Sequence, residues 1–316
     1  MKIGVFDSGL GGLIILRDII KKLPQYDFIY LGDNARTPYG NRSQKVIYSF
    51  TEQAVDFLFK QNCQLIIIAC NTASAEALRK IQQEWLPKNY PERRVLGVIR
   101  PVVEQAVKIA KKKIGVIGTK GTVASQAYIK EIQKFPPEAD PPLAENSKLE
   151  VLQQACPLLV PLIEEGWVKN DITKKVLRIY LRPLKLAKVD TLILGCTHYP
   201  ILLKEIEGIM GPRTKVLNSG EIVADALVDY LKRHPEIENK LDKNKNVMLS
   251  PSASSEQSFT EFMVSEVEPK HDTDGVTLRQ AQGDIMFFVT DLSAYYQKLG
   301  EGWFGHKIKF EQVNLE

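Results

Sequence analysis

A continuous apolar run ending in a cysteine and a short polar loop occurs twice in this chain, and it constrains the fold more than any other feature. The first copy is Ile66-Ile67-Ile68-Ala69-Cys70-Asn71-Thr72 and the second is Leu192-Ile193-Leu194-Gly195-Cys196-Thr197-His198. A short, uninterrupted apolar run bounded by turn-forming residues reads as a parallel strand buried on both faces. An earlier pair echoes it: Ile3-Gly4-Val5 before a glycine-containing loop recurs as Ile114-Gly115-Val116. The two offsets are similar but unequal. Both echoes in the same order point to a duplicated α/β unit. Two such units facing each other would put the cysteine loops on opposite walls of one cleft.

The surrounding pattern agrees. Strands are predicted over 3–6, 28–31, 65–69, 95–99, 114–117, 149–153 and 191–194. Helices are predicted over 13–22, 44–60, 74–85, 101–110, 125–134 and 174–186, with another starting in 160–166. Such alternation predicts parallel sheets covered by helices. After Pro200 come a helix, a strand near 216–217 and a helix over 221–233. The tail holds short apolar segments at 247–249, 258–262, 287–290 and 307–313 and is expected to complete the first domain. The expected class is therefore α/β: two pseudo-symmetric domains, each a mostly parallel sheet flanked by helices, with the active site in the cleft between them. Residues 1–98 and 212–316 would form the first domain and 99–211 the second. The proline-rich segment 135–147 reads as a surface loop, and the polar stretch 269–283 as an insertion.

The chain's 316 residues suffice for two domains with real cores. A net charge of +4 is modest, and short runs such as Lys111-Lys112-Lys113 read as solvated faces. With no coherent basic stripe, no nucleic-acid partner is expected. No apolar run is long enough to span a bilayer, so no membrane association is expected. Asp7 interrupts the apolar N-terminus and no small-residue cleavage site follows, which predicts a cytoplasmic protein. The four cysteines (63, 70, 156 and 196) form no CxxC pair and no zinc-type spacing with histidine. No metal site is expected, and in a reducing compartment the thiols are free.

A free cysteine is ordinarily core packing, so context must argue otherwise. Cys70 lies at the carboxyl end of a predicted buried strand, where open α/β sheets bind ligands. It also precedes a helix whose N-terminal N–H groups favour a carboxylate or a thiolate. Asn71, Thr72 and Ser74 add polar groups that packing does not need. Cys196 repeats the arrangement with Thr197 and His198, whose imidazole could orient a proton. Cys63 stands at the opposite end of its strand and Cys156 precedes Pro157, so both read as structural. The loop Asp7-Ser8-Gly9-Leu10-Gly11-Gly12 follows a strand and opens a helix. Ile14 occupies the third glycine position of a dinucleotide fingerprint, which removes that reading. Asp7 is either a turn former or a carboxylate that holds an ammonium group or tunes a thiol.

The blocks DSGLGG, GDNARTPYG, ACNTASA, GVIGTKGT, ACPLLVPLIEEG and GCTHYP, in this order, resemble the glutamate racemase branch of the aspartate/glutamate racemase superfamily. They cover the chain to about Pro200. The resemblance implies two pseudo-symmetric α/β domains and interconversion of L- and D-glutamate with no pyridoxal phosphate or metal. It further implies that the product supplies bacterial cell-wall peptidoglycan. By matching motifs, Cys70 and Cys196 are the proton-transfer residues, Cys70 acting on D-glutamate and Cys196 on L-glutamate. Asp7, Ser8, Tyr39, Gly40, Asn71, Thr72, Thr119, Thr122, Thr197 and His198 match substrate-contact positions. Glu164 matches a carboxylate that assists beside His198, and Asp7 joins the catalytic set. Homodimers are common among relatives. Some relatives need a cell-wall precursor as activator, and the start of this chain implies no extension of the kind linked to that control. Two departures stand out: Asn34 where threonine is expected, and 269–283.

Two thiols suit the chemistry. Racemisation removes the Cα proton from one face and returns a proton to the other, so one group must be thiolate and the other thiol. Donors around the α-carboxylate would stabilise the developing carbanion, and domain closure would exclude water. Three rival readings remain at this level. One is a racemase for aspartate or another amino acid, one a non-catalytic protein binding an acidic ligand or a protein partner, and one a thiol redox enzyme.

Overall fold

Among the described residues, ten strands form two separate parallel sheets. A computed structural model describes residues 1–135, 149–243 and 284–315. In chain order the strands are β1 (Lys2–Asp7), β2 (Phe28–Gly32), β3 (Cys63–Ile68), β4 (Arg94–Gly97), β5 (Lys113–Gly118), β6 (Glu150–Ala155), β7 (Thr191–Gly195), β8 (Lys215–Leu217), β9 (Ile285–Val289) and β10 (Phe310–Gln312). The first sheet runs β10-β9-β2-β1-β3-β4 and the second β6-β5-β7-β8. Every strand pairing is parallel. β2, β3 and β7 are buried along their whole length, as continuous apolar runs predict.

Both faces of the first sheet are dry. Ile3, Val5, Tyr30, Leu65 and Ile67 join one core, while Phe6, Ile29, Leu31, Ile66 and Ile68 face the other. The strand period of two thus sorts neighbouring residues onto opposite faces. The first of these cores runs on into Ile114, Val116, Leu192 and Leu194 of the second sheet. Between the sheets lie the helices Gly12–Lys22, Ile99–Ile109 and Ser219–Arg233. The last of these packs against the other two.

The structure corrects the expected course of the chain in one place. β8 pairs with β7, Lys215 opposite Thr191, so it belongs to the second sheet although 212–316 was assigned to the first domain. The helix Leu203–Met210 is the crossover that lays β8 beside β7, and a parallel neighbour needs such a crossover. The return to the first sheet comes after β8.

Two helices also differ from expectation. The one predicted over 74–85 begins at Asn71 because Cys70 caps it, its Sγ accepting from the Ala73 amide at 3.4 Å. It breaks at Ala77 and passes through a wide π turn over Ile81–Trp85. Ala294–Phe304 was not predicted. Ser293 caps it by accepting from the Tyr296 amide, and Gly305, at φ 89°, ends it. Gly300 inside this helix makes room for β10: a Cβ there would lie 2.5 Å from the Phe310 ring.

The expectations for 136–147, 247–249, 258–262 and 269–283 fall outside the described residues. Among the described residues no helix is long and apolar enough to cross a membrane.

Candidate active site

Parallel strands deliver all their carboxyl ends to one edge of a sheet. β1 ends in Asp7, which is buried and accepts the Gly9 amide at 3.1 Å. β3 leads into Cys70, whose Sγ lies 3.2 Å from Ser8 Oγ. β7 leads into Cys196, whose Sγ lies 3.7 Å from His198 Nδ1. The two sheets meet at these loops. Thr197 Oγ1 donates to Asp7 Oδ1 at 3.5 Å. A Cβ on Gly11 would press on the Thr197 hydroxyl and lie 2.6 Å from His198 Nδ1, so only glycine permits this approach.

Further contacts cross between the sheets. Thr72 Oγ1 lies 2.9 Å from Thr119 Oγ1 and 3.2 Å from Thr122 Oγ1, and the last two are 3.0 Å apart. Thr119 also caps the short helix Lys120–Ala124 through the Thr122 amide. Tyr128 donates its hydroxyl to Asn71 Oδ1 at 2.6 Å. Gly40 sits against Thr119: a Cβ there would be 2.7 Å from that residue's Cβ. On the far side, His198 Nε2 lies 3.1 Å from Glu164 Oε1. The Trp303 and His198 rings are nearly perpendicular with centroids 5.1 Å apart, and Tyr295 donates to the Glu164 carbonyl.

The charged neighbours of the two thiols differ. Burial, and next the charge of Asp7, push Cys70 up to about 12. Burial also raises Asp7, against the lowering influence of His198 and of nearby main-chain N–H groups. Burial of His198 opposes its protonation, but its hydrogen bonds to Cys196 and Glu164 outweigh that and hold it at about 10. His198 thus stands beside Cys196. A carboxyl group stands beside Cys70. Among the described residues no group of three or more His, Cys, Asp or Glu side chains could hold a metal ion.

The family model for Asp/Glu/Hydantoin racemase matches residues 14–227. The chain belongs to this racemase family. Its sequence is 40% identical to a glutamate racemase of Aquifex aeolicus over 274 residues, 85% of this chain and 97% of that protein. It is 43% identical to one of Geobacter metallireducens over 231 residues, 73% of this chain and 80% of that protein. The racemase fold also matches a Francisella tularensis glutamate racemase solved in complex with D-glutamate, with a TM-score of 0.76 and 30% identity, over 100% of this chain and 98% of that one. A Bacillus anthracis glutamate racemase matches with the same score and identity, over 99% and 97%.

Within this racemase scaffold the sequence-predicted residues come together, with one qualification. Tyr39 is buried and gives its hydroxyl to Asp33 Oδ2 at 2.5 Å, so the group it can offer a ligand is its main chain. Cys63 and Cys156 are buried and free, as a structural role requires. Three residues of the site escaped sequence reasoning: Asp33, Tyr128 and Trp303. Asp33 had a usable signal, an acid directly after a buried strand, as Asp7 is. Tyr128 and Trp303 had none, because contact across two sheets leaves no local trace.

Proposed function

We propose that this enzyme interconverts L- and D-glutamate by two-base proton transfer between Cys70 and Cys196, without a cofactor or metal. The observation that carries this is the pair of buried thiols at the ends of β3 and β7, one beside Asp7 and one beside His198. Cys196 removes the Cα proton of L-glutamate while Cys70, held as thiol, protonates the opposite face. The D-to-L direction reverses the roles. His198, steadied by Glu164, charges the Cys196 side, and Asp7 holds the substrate ammonium or tunes Cys70. Ser8, Asn71, Thr72, Thr119, Thr122, Thr197 and the Tyr39–Gly40 main chain supply polar contacts to the substrate, and to the carbanion as charge develops. That the matched relatives are glutamate racemases supports glutamate over aspartate.

The reading places the enzyme in the cytoplasm, where four free thiols persist, and gives it the supply of D-glutamate for peptidoglycan. It divides the chain near residue 98 and again after β8. It includes a homodimer, for which the exposed Ile172, Ile179 and Leu186, at heptad spacing on the helix Asp171–Leu186, offer an apolar face.

Circular dichroism tests the reaction. L- and D-glutamate, each incubated with metal-depleted protein and no cofactor, should both lose their signal. No decay by folded protein, or faster decay of aspartate, would overturn the assignment.

A further inference from the structure

The structure assigns Asp33 and Asn34 a positioning role: with Thr290 and Asp291, just past β9, they latch the loop that carries Tyr39 and Gly40 against the second sheet. The inference rests on the glutamate reading for its kinetic test, but its geometry stands apart from that reading.

Asp33 directly follows β2 and is fully buried. A buried carboxylate is costly unless its oxygens are satisfied. Here Oδ2 accepts from Tyr39 Oη at 2.5 Å and from Arg36 Nε at 2.7 Å. Oδ1 accepts from Thr290 Oγ1 at 2.9 Å, and its own main-chain N–H donates to the Asp7 carbonyl at 3.0 Å. One residue therefore ties together the Tyr39 loop, the returning tail and the strand that bears Asp7.

Asn34 closes the other end. Its Nδ2 donates to the Asp291 carbonyl at 2.5 Å and its Oδ1 accepts the Asp291 amide at 3.1 Å. The regular pairing of β2 with β9 stops at Gly32 opposite Val289. The amide side chain thus extends the ladder beyond the strands. A threonine, with one hydroxyl on a short stem, cannot mimic a peptide group in this way. That explains asparagine at this position, where the resemblance led us to expect threonine.

The latch bears on the cleft because its far side is fixed. Gly40 abuts Thr119 of the second sheet, and Thr119 belongs to the hydroxyl triangle with Thr72 and Thr122. No latch group hydrogen-bonds to Cys70 or Cys196, although Tyr39 shares a core cluster with Cys70. The latch therefore acts first on where substrate is held.

The test compares Asp33→Asn, Tyr39→Phe, their double variant and Asn34→Thr with the wild type. Asp33→Asn should raise KM for glutamate about tenfold and change kcat by less than about threefold. The double variant should be no worse than Asp33→Asn, because both changes act on the shared Tyr39–Asp33 bond. Asn34→Thr should raise KM about threefold and speed amide exchange across 35–42 while leaving 65–69 protected. Unchanged KM in folded variants, additive losses, or a fall in kcat that only tracks lost folded protein would overturn the proposal. If Asp33→Asn does not fold, Tyr39→Phe and Asn34→Thr decide the matter. If the wild type does not racemise glutamate, the functional reading fails, and the exchange measurement still judges the latch.

Discussion

The Cys70 loop and the Cys196 loop occupy equivalent places at the ends of buried parallel strands, yet each is furnished differently. Cys70 caps a helix, touches Ser8 and sits in the field of Asp7. Cys196 enters a tight 3-10 turn and faces His198, which Glu164 supports. The frame is shared, and the neighbours differ. A symmetric pair of thiols would share one proton equally. This pair has a carboxyl group beside one thiol and an imidazole beside the other.

The largest expected effect comes from removing either end. Cys70→Ser and Cys196→Ser should each lower kcat/KM by at least about 10³-fold, read by circular dichroism; substantial activity in either would break the two-thiol comparison. Next, His198→Asn should cost about 10²-fold. The two enantiomers have equal free energy in solution, so kcat/KM must fall equally in both directions. The asymmetry should appear in kcat and KM taken separately, and identical changes for both substrates would sink it. Gly11→Ala drives a methyl group into Thr197 and His198 and should cost roughly 10–100-fold through overpacking of about 1–3 kcal/mol. Tyr128→Phe removes one bond to Asn71, worth about 1 kcal/mol, and should cost about fivefold. The smallest effect concerns stability. His198 is held at about 10, above its unfolded value of 6.5. Its stabilising contribution is complete below pH 6.5, declines across the interval and is gone above about 10. Urea midpoints of wild type and His198→Asn should therefore converge as pH rises through that window.

Much of this was legible because it is local. A buried parallel strand announces itself as an apolar run, and the residues after it sit at the ligand edge by topology alone, so Asp7, Cys70 and Cys196 could be named early. What was hidden depends on remote packing. β8 looked like the start of the first domain's return because a three-residue strand carries no label for its sheet. The helix Ala294–Phe304 was masked by Gly300 and Gly302, although Ser293 and Gly305 are ordinary start and stop signals. Asp33 could be read as an acid after a strand, but its partner Thr290 lies 257 positions away. No window of sequence joins them.

That separation has a consequence for biosynthesis. β2 is an interior strand only because β9 and β10 come from the far end of the chain. While the protein emerges from the ribosome, β1, β3 and β4 can pair with β2, and β5 to β8 can finish the second sheet, but one flank of β2 stays bare until β9 appears. An open edge of this kind invites pairing with other chains. Asp33 waits through the same interval without Thr290, and Tyr39 is tethered to an unfinished anchor. The Tyr39 loop is thus among the last parts of the first sheet to gain its full set of contacts.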